Sequence, residues 1–183
     1  MPYLNYKYIS QHSVIVLFLV YSSHSFSADG NNFSSLKEIR EKGVVMQQWE
    51  NSCAVASLAT VLTYGFHDPV SERVVAGEML KLVDPSKVKL RGGFSMLDMK
   101  KFMISRGYQA DSYKNLSLED LLAFEAPIVP ISKLGSNHYV VFNGIKGNNI
   151  LLADPLFGNR EVSVNNFLSQ WVEGMAFVAS KKE

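Results

Sequence analysis

A chain of 183 residues, 47% hydrophobic and 19% charged, is long enough and apolar enough for one domain with a real core. Its formal charge of +1, with no basic cluster, argues against nucleic-acid binding. After the N-terminal segment no stretch is long and apolar enough to cross a membrane.

Residues 1–28 read as a secretory signal peptide. Lys7 is the only formally charged side chain there, an apolar run Val14–Val20 follows, and small polar residues lead to a cleavage site near Ser27 or Ala28. The competing reading is an uncleaved anchor, which the shortness of the run disfavours. The expected location is therefore periplasmic or secreted, with no stable membrane span after cleavage. Residues 29–43 are a lead-in and a short helix, opened by a Ser35–Glu38 capping box and ended by Gly43. The main domain is expected over 44–183.

Ser52 is a candidate N-cap for a helix that begins at Cys53 and stops at Gly65. Ala54, Val55, Ala56, Leu58, Ala59, Val61 and Leu62 place apolar groups all round it, so it should be the buried central helix. Asp68-Pro69 predicts a helix start, running to about Leu82. Asp84 to Phe94 reads as a loop. Ser95 with Asp98 caps a helix over Met96–Ser105, whose Met96, Met99 and Met103 read as core filler. A short strand near Tyr108–Tyr113 and a short helix capped by Ser117 follow. Strand-like runs then dominate: Ile128–Ile131, Tyr139–Phe142, Ile150–Ala153 and Met175–Val178, with a Lys146–Asn149 hairpin and a helix near Val164–Trp171. Helices first and an antiparallel sheet second make the fold α+β.

Cys53 is the only cysteine. In an exported protein it is buried, paired with another molecule, or kept as a reactive thiol. At a helix start it can be favoured as thiolate, and its N–H can face a developing oxyanion. After removal of the signal segment only His67 and His138 remain as histidines, so neither a metal site nor a cofactor is expected. His67 lies beyond the wrong end of the central helix to act as base. His138 opens a strand and Asp154 closes the next, so both fall at the open end of one hairpin, provided register or a bulge allows it. A carboxylate there can hold one imidazole nitrogen while the other faces the thiol. Asp154-Pro155 is also an ordinary turn opener, and His138 an ordinary strand-end residue. Gln47, six residues before Cys53, can donate to an oxyanion, with Gln48 competing for the role.

Gln47-x5-Cys53-Ala-x-Ala, His138-Tyr-Val-Val and Ala153-Asp154-Pro155-x-x-Gly158 together resemble the bacteriocin-processing, double-glycine leader peptidases. The segment from Gly93 resembles the helix that follows the catalytic helix there, and the resemblance spans Val44 to Val178. It implies a papain-like cysteine peptidase: Cys53 the nucleophile, His138 the general base and acid, Asp154 its orienter, Gln47 the oxyanion donor. It implies a polypeptide substrate, a secreted protein or a component of a secretion system, cut after a Gly-Gly-like pair. Ala54 stands where that family usually has Gly, and Ser52 where it often has Asp. The exported character is that of standalone members, some of which accompany secretion of functional amyloid. Two alternatives compete: an exported papain-like peptidoglycan hydrolase or amidase, and a peptide-binding module without catalysis.

Overall fold

The computed structural model describes residues 34–133 and 136–182. The expected signal segment and most of the lead-in lie outside these residues. Helix α1 (Leu36–Glu41) opens with the expected Ser35–Glu38 capping box. Helix α2 (Cys53–Thr60) continues into a π-turn over Val61–Gly65, where the Phe66 N–H donates to the Val61 carbonyl at 2.9 Å. Every residue of α2 after Cys53 is buried, as its all-round apolar surface requires.

Three expectations along this stretch need correction. Ser52 does not cap α2 through its side chain; its hydroxyl faces the Trp49 carbonyl and Glu72 instead. The next helix, α3 (Glu72–Leu82), starts after Ser71, whose hydroxyl accepts from Val74 N–H, and not at Asp68-Pro69. Asp68 is drawn off by Arg106 and Tyr108, so it is unavailable as a cap. The expected loop from Asp84 contains α4 (Pro85–Arg91), with Asp84 as N-cap, Pro85 at the first position and Gly92 in the left-handed C-cap. An Asp-Pro pair marks turns and helix starts alike. At Asp68 it is not a helix start; at Asp84 it is.

Helix α5 (Met96–Ser105) carries the expected Ser95–Asp98 capping box and buries Met99 and Met103. Strand β1 (Gln109–Tyr113) and helix α6 (Leu118–Leu122) lead into the sheet. Its other strands are β2 (Ile128–Lys133), β3 (Ser136–Lys146), β4 (Asn149–Asp154), β5 (Gly158–Ser163) and β6 (Ala176–Ser180), with helix α7 (Val164–Gln170) between the last two. Among the described residues these form one antiparallel sheet, ordered β1-β6-β2-β3-β4-β5. Strand β5 escaped sequence reading because Gly-Asn-Arg-Glu-Val-Ser is polar; it is an edge strand, where charged residues are at home.

The apolar runs are continuous because the sheet is covered on both faces. Ile128, Val141, Ala153 and Phe177 face the core with α2, α3 and α5. Their neighbours Val129, Val140, Leu152 and Ala176 point the other way and pack with Phe167 of α7 and Leu121 of α6. The fold is α+β, as expected, with the Cys53 helix packed across β3: the Ser57 hydroxyl donates to the Tyr139 carbonyl at 3.2 Å.

Candidate active site

Two elements bring the sulfur and the imidazole together. Helix α2 sets Cys53 at its first position, and β3 sets His138 opposite Ile131 of β2. The two side chains face each other across the cleft and each shifts the other's titration. His138 Nε2 lies 2.7 Å from Asp154 Oδ1, so Nδ1 is the nitrogen left to the sulfur.

A β-bulge decides whether His138 and Asp154 share a face. At the hairpin Lys146 pairs with Asn149 and Gly144 with Leu151, but beyond the irregularity Phe142 pairs with Leu152 and Val141 with Ala153. Carried on without the extra residue, the turn register would set Val141 opposite Asp154 and send His138 to the other side of the sheet. The extra residue shifts the count by one, and the two functional groups fall on the same side. Gly144 at the bulge has φ 116°, a conformation side chains rarely adopt.

Asp154 is fully buried and well held. Its Oδ1 also accepts the Leu156 N–H at 2.9 Å. Arg160 Nε stands 2.8 Å from Oδ2, a charge contact whose N–H is not aimed well enough for a directed hydrogen bond. Arg160 reaches it because Leu152 pairs with Arg160 and Asp154 with Gly158, which makes Arg160 and Asp154 diagonal neighbours on one face. Sequence reading missed Arg160 with the strand that carries it.

The electrostatics are mutually supportive. Burial opposes charge on Cys53, but the His138 hydrogen bond, the N–H groups of Tyr139 and Ala54 and the imidazole's charge outweigh it, so the thiol pKa lies below its ordinary value. Burial would lower the pKa of His138; Asp154 and Cys53 reverse this and raise it to about 9. Burial likewise works against the Asp154 carboxylate, which His138, the Leu156 N–H and Arg160 hold below the ordinary range. All three shifts run in the direction that favours a thiolate–imidazolium pair oriented by a carboxylate.

Gln47 is brought to the same place. Its N–H donates to the Pro155 carbonyl at 2.8 Å, beside Asp154, and Val45 N–H is tied to Thr60 Oγ1 of α2 at 2.9 Å. Its side-chain amide, expected to face an oxyanion, instead donates to the Trp49 carbonyl at 3.2 Å, and its buried Oε1 has no partner. Gln48, the competitor, has an exposed side chain. His67 is exposed with φ 56°, in the turn beyond the far end of the helix, as expected. Cys53 and His138 open onto a cleft of about 1120 Å³, walled by Trp49, Gly93, Phe94, Leu156 and Phe157. Among the described residues no His, Cys, Asp and Glu cluster could hold a metal, and no helix is long and apolar enough to cross a membrane.

The model of the Peptidase C39 family matches residues 41–183. Two proteins named "Probable functional amyloid protease FapD" are similar over 144 residues: that of Pseudomonas fluorescens at 35% identity and that of Pseudomonas aeruginosa at 32%. In both cases the match covers 78% of this chain and 62% of the relative. The chain thus spans less than two thirds of the curated relatives it matches. The fold is also that of a double glycine motif protease from an AMS/PCAT transporter, solved in complex with the leader peptide, at TM-score 0.62 and 25% identity, covering 76% of this chain and 91% of that one.

Proposed function

Because the chain belongs to the Peptidase C39 family, a family of papain-like cysteine peptidases, we propose that it is an exported cysteine endopeptidase that cuts a polypeptide of a secretion pathway. The observation that carries this reading is the juxtaposition of Cys53 with His138 in an open cleft, with His138 bonded to the buried Asp154. Cys53 Sγ attacks the scissile carbonyl carbon and a thioester forms. The His138 imidazolium gives its proton to the leaving amine. It then takes a proton from water, which attacks the thioester and restores the thiolate. Asp154 is the orienting group, fixing the ring by Nε2. The Cys53 N–H and the Gln47 amide are the oxyanion donors, the latter after turning away from Trp49.

The relatives support the finer reading. One is a double glycine motif protease, which favours a cut after a Gly-Gly pair. Two carry the functional amyloid protease name, which favours a substrate in amyloid export. The same reading takes residues 1–28 as the signal peptide, 44–183 as the peptidase domain and the periplasm as the working compartment.

The test is cleavage of unfolded secreted polypeptides and Gly-Gly reporter peptides by wild type and Cys53→Ala. Wild type should cleave and label rapidly with iodoacetamide near neutral pH; the variant should do neither. Turnover of muropeptides instead would favour the amidase alternative. Binding without turnover in both forms would favour the non-catalytic one. Cell fractionation, with N-terminal sequencing of the mature protein, checks the compartment and the cut near Ser27 or Ala28.

A further inference from the structure

Glu72 is a buried acid that the reaction as described does not use. It is 1% exposed, at the first position of α3, where a carboxylate is favoured by the helix N-terminus. Its carboxylate faces the loop between Gln47 and Cys53. The Gln48 N–H donates to it at 3.0 Å and 3.2 Å to the two oxygens, and Ser52 Oγ lies 2.5 Å from Oε1. Arg73, the next residue, places its guanidinium 5.9 Å from the centre of the Trp49 ring. Gly93 also approaches the loop, so closely that a side chain there would meet the Asn51 carbonyl at 3.1 Å. Asn51 itself holds φ 62°. The loop is thus held by Glu72 of α3 and closely approached by Gly93, and the buried carboxylate supplies the hydrogen bonds.

We propose that Glu72 is a positioning residue for the reaction: it holds the 48–52 loop so that the Gln47 amide and the Cys53 N–H converge on the same oxyanion. This rests on the peptidase reading. The hydrogen bonds of the Glu72 carboxylate go to the loop, at Gln48 and Ser52, while Cys53 and His138 are carried by α2 and β3. A displaced loop therefore weakens oxyanion stabilisation while leaving the thiol activated. The role is one of reach, not of charge. A glutamine reaches as far, accepting from Gln48 N–H and donating to Ser52 Oγ, whose own proton then goes to the Trp49 carbonyl. An aspartate keeps the charge but falls one methylene short.

The test is reporter-peptide kinetics and Cys53 alkylation on the full chain, for E72D, E72Q and S52A. E72Q should stay within about threefold of wild-type kcat. E72D should lose about tenfold to a hundredfold in kcat with KM nearly unchanged, as a misplaced donor does. The iodoacetamide rate at Cys53 should stay within about threefold in both. S52A, which removes the hydroxyl's contacts to Glu72 and the Trp49 carbonyl but leaves the Gln48 N–H on Glu72, should lose kcat by a smaller factor with the same unchanged alkylation. The proposal is overturned by wild-type kcat in E72D, by E72Q falling as far as E72D, or by alkylation falling in proportion to kcat. Cleavage that needs Cys53 but ignores E72D sinks this inference alone; cleavage that survives Cys53→Ala sinks the peptidase reading beneath it.

Discussion

His138 is the residue on which the charge balance turns. Its folded pKa of about 9 stands above the ordinary 6.5, so the folded chain binds this proton more tightly than the unfolded chain. Its contribution to stability is complete below pH 6.5 and is lost as pH rises through about 9. For Cys53 and Asp154 the shift runs downward, and their contribution is lost as pH falls through the depressed values. The same pair sets the expected kinetics. The pH profile of kcat/KM should rise on an acid limb, where the thiolate forms, and fall on an alkaline limb near pH 9, where the imidazolium disappears. Part of the upward shift comes from the Cys53 thiolate, so in Cys53→Ala the His138 titration followed by NMR should move to lower pH. An unchanged midpoint would mean that sulfur and ring do not share the proton.

At the level of elements, the site depends on turns and crossings more than on the helix that carries the nucleophile. Gly158 begins β5 with φ 76°, and a Cβ there would lie 2.6 Å from the Arg40 carbonyl. Two penalties coincide, a left-handed backbone and a backbone clash that no side-chain rotation relieves. Gly158→Ala should therefore cost about 2 kcal/mol or more, read as a lower denaturation midpoint. It should also lower kcat, because Gly158 pairs with Asp154 and starts the strand that brings Arg160 to that carboxylate. A variant with unaltered stability would show that the contact with Arg40 is not maintained in solution.

Taken whole, the molecule draws its chemistry from both faces of one sheet: Cys53 comes from α2 on one, while His138 and Asp154 share the alternation of Val140 and Leu152 on the other. Cys53 belongs to the face covered by α2, α3 and α5; Phe167 of α7 is buried on the other face, against Val129, Val140 and Leu152. Phe167→Ala should cost about 3–5 kcal/mol in a denaturant titration, through the lost burial and the cavity left behind. Its effect on Cys53 alkylation in native buffer should be small, since Phe167 packs against Phe142 and Trp171, away from the strand ends that hold His138 and Asp154. A large loss of thiol reactivity in the folded variant would show that the ring and the site are coupled.

Much of this architecture was legible before any coordinates. The Ser35–Glu38 and Ser95–Asp98 capping boxes depend on residues three apart and formed as expected, as did the cap at Ser117. The all-round apolar character of the Cys53 helix predicted its burial, and the paired order of Cys53, His138 and Asp154 pointed to one site. These are properties of short windows, where the sequence names both partners. Only tertiary contact decided the rest. Whether Asp68 or Ser71 caps a helix depended on Arg106, which is distant in sequence. The one-residue bulge that sets His138 beside Asp154 changes which side chains share a face without changing composition or periodicity enough to be read. Glu72 and Arg160 look like ordinary surface charges in the chain, because burial of a charge is settled by what packs around it.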